Sequence, residues 1–308
     1  MNNATLKKEI SSSPKLEVNT VKSRTAEIGS RSLKAESKIK AILQLISFLD
    51  LTTLEGTDTP NRVSQLVSKA LRPHPLYNTP TCAAVCVYTD MVASAREAID
   101  LQKGKLELAS VSSYFPSGRS NINSKILDTQ TALKAGATEI DIVIDRGAYL
   151  KGDYLKIFEE TSELVKISHK AGARVKTILE VGELPLYDDV AKASRLALLA
   201  GSDFIKTSTG KHAISSTPEY AYVMTKVLAQ YNEENKVIRG FKPAGGVKTT
   251  KDAISLYLIT QYHLGDEFMD PKFFRIGAST LLTDLLLQYE KQLSPTKEYK
   301  STKYLGAL

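Results

Sequence analysis

The 308-residue chain is 42% hydrophobic and 24% charged, an ordinary globular composition with enough apolar side chains for a large core. Its formal charge of +7 sits at the ends: residues 1–40 hold nine Lys/Arg against four Glu, residues 289–308 hold four Lys against two Glu, and the body between is neutral. A nucleic-acid reader would carry that excess on its folded face, and no apolar run approaches the roughly 18 residues that span a membrane.

Residues 1–30 are rich in Ser, Thr, Asn and Lys. They read as a mobile or loosely helical basic extension, taken here to residue 35. Glu9, Glu17 and Glu27 argue against a mitochondrial transit peptide, and there is no signal-peptide core. From about residue 36 to 293 short apolar runs alternate with amphipathic ones, and 294–308 reads as a tail. The predicted strands are 48–51, 81–88, 108–112, 139–144, 174–179, 203–205, 237–241 and 273–276. The helices between and after them are 61–71, 90–101 with Asp90 as N-cap, 123–135, 154–171, 187–200, 218–230, 250–262 and 279–293. Cys82 and Cys86 would share one face of the second strand about 13 Å apart, too far for a disulfide. Free thiols suit a cytoplasmic protein, and two cysteines without nearby histidines make no zinc site.

Eight strand–helix units with strands buried on both faces predict a single-domain (β/α)₈ barrel. A doubly wound open sheet competes, but no glycine fingerprint follows the first strand. Catalytic groups in a barrel come from the C-terminal ends of its strands. The polar residues in or just after these strands are Asp50, Asp141, Lys176, Glu180, Lys206 and Lys242. Lys206 and Lys242 end neighbouring strands, so each ammonium destabilises the other, which is one way to free an amine for Schiff-base chemistry. The same residues also fit a buried ion-pair network that sets barrel geometry. Spacing alone leaves both readings open. Gly210-Lys211, Pro243-Ala-Gly-Gly246 and Gly277-Ala-Ser-Thr280 are turns whose backbone N–H groups could hold a phosphate at the same mouth.

These motifs, Asp50-Leu-Thr-Thr-Leu54, Glu139-Ile-Asp141, Phe204-Ile-Lys-Thr-Ser-Thr-Gly-Lys211, Gly240-Phe-Lys-Pro-Ala-Gly-Gly246 and Arg275-Ile-Gly-Ala-Ser279, stand in the order of the deoxyribose-phosphate aldolase family. The chain resembles that family over about residues 40 to 290, and its longer N-terminus is similar to the family's eukaryotic members. The resemblance implies a metal-independent class I aldolase on a (β/α)₈ barrel, without a cofactor and compatible with a homo-oligomer. Such an enzyme reversibly cleaves 2-deoxy-D-ribose 5-phosphate to acetaldehyde and D-glyceraldehyde 3-phosphate, a step of deoxyribose phosphate catabolism. It implies Lys206 as Schiff-base lysine, Lys242 as the lysine that perturbs it, and Asp141 in proton transfer. Asp50, Lys176, Gly210, Lys211, Gly245, Gly246, Ser279 and Thr280 are then the substrate-binding set. Asp145 and Val181 depart from the family pattern, where Asn and Thr are expected. A different Schiff-base sugar-phosphate enzyme, or a non-catalytic sugar-phosphate binder, remains the competing expectation.

Overall fold

The computed structural model describes residues 2–31 and 35–293, so the tail expected over 294–308 lies outside the described residues. Helices α1 (Asn3–Ser11) and α2 (Val18–Gly29) precede α3 (Ala35–Ser47). The alternating body follows as β1 (Leu49–Thr52), α4 (Pro60–Leu71), β2 (Ala84–Val87), α5 (Val92–Leu101), β3 (Glu107–Val111), α6 (Ile122–Lys134) and β4 (Glu139–Val143). It continues with α7 (Arg146–Lys151), α8 (Tyr154–Lys170), β5 (Arg174–Ile178), α9 (Tyr187–Leu199), β6 (Phe204–Lys206) and α10 (Pro218–Asn235). Then come β7 (Gly240–Lys242), α11 (Thr250–Leu264), β8 (Ile276–Ala278) and α12 (Leu281–Leu293). The strands are parallel in the order β7-β6-β5-β4-β3-β2-β1-β8, and bridges from Phe241 to Phe274 and from Ala244 to Gly277 join the two edges. The protein is a (β/α)₈ barrel.

Alternation along the strands sorts the side chains. Leu49, Leu51, Val85, Val87, Leu108, Ile140, Ile142, Val175, Ile205 and Phe241 join the apolar layer shared with the helices. Several alternate positions on β2, β3, β7 and β8 are small, namely Ala84, Cys86, Ala109, Gly240 and Gly277. That leaves room in the interior for the long charged side chains of β4 to β7. Gly240 is required here, since a Cβ would fall 2.3 Å from the Phe204 ring. Cys82 lies before β2 in the outer apolar layer, whereas Cys86 joins a small inner cluster with Leu54, Ala109 and Val111. The two therefore do not share a face as the strand reading implied, because the ladder begins only at residue 84.

Helix starts follow the capping residues. Thr59, Asn121, Thr217 and Thr249 each accept a backbone N–H three residues on, and Asp252 completes a capping box with Thr249. Asp90 does not cap α5: a 3₁₀ turn over Thr89–Met91 intervenes, and the helix begins without a side-chain cap. The last three strands lie further along the chain than the apolar pattern places them. Lys206 and Lys242 sit inside the ladder, where a lysine breaks the apolar pattern and only a buried partner makes it tolerable.

The N-terminal extension, expected to be mobile or loosely helical, forms two helices with buried faces. Leu6, Ile10, Leu16, Val21 and Ile28 are each at most 9% exposed. Helix α1 lies against α8 and α9, and α2 against α10 and α11. Arg195 of α9 pairs with Glu9 at 3.4 Å and with Glu234 at 2.8 Å. Leu6→Ala should thus cost about 2–5 kcal/mol of stability, read as a lower urea midpoint. Turnover per folded molecule should stay within a few-fold, because α1 packs on the outside of the helix layer.

Candidate active site

Lys206 is registered on Lys242 across β6 and β7, and Asp141 on Lys176 across β4 and β5. Four strands thereby bring three lysines onto one carboxylate. Asp141 Oδ2 accepts from Lys206 Nζ at 2.8 Å and from Lys242 Nζ at 2.7 Å, while Oδ1 accepts from Lys176 Nζ at 3.0 Å. Lys242 also donates to Asp50, and Lys176 to Glu139. Arg275 closes the lattice from below, donating to Asp50 Oδ1 at 2.6 Å and to Glu139 Oε1 at 3.0 Å. Arg174 reaches Glu139 from the outer edge. Phe204 lies among these cations, with Arg174, Lys176 and Arg275 at 5.5–5.9 Å from its ring centroid.

Counting charge shows which group is in surplus. Asp50, Glu139 and Asp141 supply three negative charges, and Lys176, Lys242 and Arg275 match them; all six are at most 1% exposed. Lys206 is the fourth buried cationic position and has no carboxylate of its own; Arg174, the remaining cation, sits 32% exposed at the solvent edge, where water screens its charge. Burying an unmatched charge is costly, so the neutral amine is favoured at Lys206. Burial lowers the Lys206 pKa; Asp141 opposes this, Lys242 adds to it, and the net shift is downward. Lys242 is also penalised by burial, but Asp141 and Asp50 together outweigh the penalty and hold it as ammonium. Asp141 is held well below the usual carboxylate range, since Lys176, Lys206 and Lys242 overcome its own burial penalty.

Above Lys206 a cavity of about 430 Å³ opens at the C-terminal mouth. Lys206, Gly210, Lys211, Gly245, Gly246, Ser279 and Thr280 all line it. Gly210, Gly245 and Gly246 have φ of +79°, +83° and +76°, the left-handed region that glycine enters freely. The two loops that carry them are tied together, because Thr207 Oγ1 donates to Ala244 O at 3.0 Å and accepts from Ala244 N at 2.9 Å. Buried Glu180, at φ +55°, accepts from Thr209 N at 3.3 Å and from its hydroxyl. Lys211 Nζ is held by Glu55 at 3.0 Å, so an anion in the cavity competes with that carboxylate.

Asp50 and Lys176, expected among the substrate-binding residues, do not line this cavity. Both are fully buried beneath Lys206, where they bind Lys242, Asp141 and Glu139. Sequence reasoning did not assign Glu139 and Arg275 to the site, although a second acid two residues before Asp141 places both on one strand face. Arg62 and Lys248 also line the mouth, and nothing in their sequence context separates them from ordinary surface cations. Asp145 caps α7 through Ala148 N at 3.0 Å and pairs with Lys156 at 2.6 Å. Val181 is buried, with its N–H donating to Thr207 O at 3.1 Å. Neither departure lines the cavity.

The family model for DeoC/LacD family aldolases matches residues 44–285. This chain belongs to that family. It is 40% identical over 256 residues to a putative deoxyribose-phosphate aldolase of Caenorhabditis elegans, covering 83% of each chain. It is 38% identical over 266 residues to the deoxyribose-phosphate aldolase of Homo sapiens, covering 83% of this chain and 82% of that one. Among solved structures, a putative deoxyribose-phosphate aldolase from Toxoplasma gondii matches with TM-score 0.73 and 23% identity, over 86% of this chain and all of that one. The deoxyribose phosphate aldolase from Aeropyrum pernix, described as having a unique tetrameric structure, matches with TM-score 0.63 and 23% identity, over 86% of this chain and all of that one. Both structures share the barrel fold.

A Cβ at Gly245 would lie 2.7 Å from Ser215 Cβ and 3.0 Å from Gly210 Cα, on a backbone that L-residues rarely adopt. Gly245→Ala should therefore raise KM for a phosphorylated substrate by about tenfold or more, roughly 1.4 kcal/mol. Turnover of an unphosphorylated aldehyde should change much less, and steady-state kinetics on the pair checks this.

Proposed function

We propose that this protein is a deoxyribose-phosphate aldolase, reversibly cleaving 2-deoxy-D-ribose 5-phosphate to acetaldehyde and D-glyceraldehyde 3-phosphate through a Schiff base on Lys206. The carrying observation is a lysine with a lowered pKa at the bottom of the mouth cavity, sharing one carboxylate oxygen with an ammonium. The neutral amine attacks the C1 aldehyde of the open-chain sugar, and loss of water leaves an iminium ion. That cation receives the electron pair of the C2–C3 bond as a base removes the C3 hydroxyl proton. Glyceraldehyde 3-phosphate departs, an enamine remains, and protonation at C2 followed by hydrolysis releases acetaldehyde. The iminium is the electron sink, so the route as written uses no metal and no cofactor.

Asp141 is suited to relay these protons through a water. A carboxylate held so low keeps a proton only briefly and passes it on, while Lys242 stays ammonium on the same oxygen. The glycine turns of the β6, β7 and β8 loops, with Lys211, Ser279 and Thr280, are the proposed phosphate clamp. Arg62 and Lys248 add positive charge to its wall. Phosphate binding so far from C1 fixes the reacting end against the amine. We further propose a cytoplasmic homo-oligomer. The buried free thiols suit a reducing compartment, and the Aeropyrum pernix neighbour is described as tetrameric.

Borohydride added with acetaldehyde or deoxyribose 5-phosphate should reduce an adduct onto Lys206, located by peptide mass mapping. Label on another lysine, or none in active protein, would refute the assignment. Lys206→Leu should lose it entirely.

Lys242→Leu tests the electrostatics. Removing that ammonium takes away a charge that lowers the Lys206 pKa and leaves Asp141 with one fewer cation. Both changes raise the Lys206 pKa, so imine formation should slow at neutral pH and keep rising into the alkaline range. Each unit of increase removes about tenfold of the free amine below the pKa. A pH–rate profile of imine formation with an unshifted alkaline limb would refute this role for Lys242.

A further inference from the structure

The opposite end of the barrel, where the strands begin, carries a second cavity of about 410 Å³. Barrel chemistry belongs to the other end, and the reaction proposed above makes no use of this one. Four cations line it: Lys105 before β3, Arg174 at the start of β5, and Lys272 and Arg275 before β8. The one acid among its lining residues is Glu107, whose Oε2 accepts from Thr138 Oγ1 at 2.7 Å. Neither Lys105 nor Lys272 has a side-chain ion pair among the described residues, and both are exposed. Arg174 lines the cavity with its side chain 32% exposed, one guanidinium nitrogen on Glu139 and the other donating to Lys272 O at 3.1 Å. The Arg275 guanidinium is buried and held by Asp50, Glu139 and the Pro271 carbonyl, so the Lys105 and Lys272 ammonium groups, with the Arg174 guanidinium at the edge, are the cations left to meet a small, multiply charged oxyanion. The Thr81 hydroxyl is a further donor on its wall.

We propose that this cavity at the closed end of the barrel binds a small oxyanion of the phosphate or sulfate class, and that its occupancy slows imine formation at Lys206. The coupling runs through contacts already described: Arg174 to Glu139, Glu139 to Lys176, Lys176 to Asp141, and Asp141 to Lys206. An anion competes with Glu139 for Arg174. Glu139 then draws more on Lys176, and Asp141 is left to Lys206 and Lys242. Lys206 otherwise faces Lys242 from β7 and the buried thiol of Cys86 from β2. The added negative charge and the freed share of Asp141 act in one direction, toward the protonated amine.

The coupling half of the proposal rests on Lys206 forming the imine, so binding and coupling are read separately. Sulfate is titrated calorimetrically into Lys211→Ala protein, which weakens anion binding at the mouth, with and without Lys105→Ala/Lys272→Ala. One site should be present in the first and lost in the second; an identical isotherm in both overturns the site. Borohydride trapping with acetaldehyde, which has no phosphate to compete for, is then run in sulfate and in chloride of matched ionic strength. Sulfate should slow trapping severalfold at neutral pH in the wild type and shift its alkaline limb upward. The Lys105→Ala/Lys272→Ala protein should keep the basal rate and lose the sulfate effect. A wild-type rate no slower in sulfate than in chloride, or equal slowing in both proteins, overturns the coupling. Absence of any imine at Lys206 refutes the aldolase reading and the coupling with it, while the isotherms still decide the site.

Discussion

Everything in this barrel is arranged around one carboxylate shared by three lysines. Asp141 sits where water does not reach, and a lone charge there is untenable. Its partners bring further charges, which need partners in turn, and the lattice ends only at Arg174 on the solvent edge. Such a network is not a general source of stability, since the cost of desolvating its members rivals their mutual attraction. The apolar layer between strands and helices carries the folding free energy. What the lattice fixes is which charges can exist inside, and it does so by leaving one cationic position unmatched.

That single surplus explains why one lysine differs from its neighbours. Lys176 and Lys242 are lysines of equal burial in the same interior, yet both are pushed toward the ammonium form while Lys206 is pushed toward the amine. Sequence identity and burial cannot separate them; the sharing of carboxylates does. Depth separates them as well, because of the three only Lys206 lines the mouth cavity. The reactive group is the one at the boundary between the dry lattice and the space open to a substrate. The glycine loops above it are held by hydrogen bonds to buried Glu180 and Thr207, so cavity and lattice are built as one unit.

Much of this was legible in the sequence, and the illegible part has a common cause. Eight strand–helix units read as the barrel, and the fold brings Lys206, Asp141, Lys242 and the glycine turns toward one end of it. Those inferences used local signals: an apolar run ending in a lysine, or a glycine pair after a strand. A polar residue in a strand looks functional whatever its depth, which is why Asp50 and Lys176 read as substrate contacts. Whether it faces the cavity or lies a layer below depends on strand stagger, which no single segment encodes. Glu139 and Arg275 do not stand out for the same reason, as their importance arises from partners more than 30 residues away. Helix α7 leaves no mark in the pattern because six residues carry too little periodicity to register.

The N-terminal extension shows how charge along a sequence can mislead about place. The basic residues of 1–40 read as a mobile or loosely helical extension. In the fold Lys7, Lys8, Lys22 and Arg24 are exposed, while Leu6, Ile10, Val21 and Ile28 are buried on α8 to α11. The spacing of four between Leu6 and Ile10, and of seven between Val21 and Ile28, is that of one helix face. The cations are the solvated sides of a two-helix cover. Such a cover must be amphipathic in this sense: its inner face replaces water over the barrel helices, and its outer face must itself stay hydrated. Positive charge at the start of the chain therefore follows from where these helices dock, and it carries no information about the chemistry at the mouth.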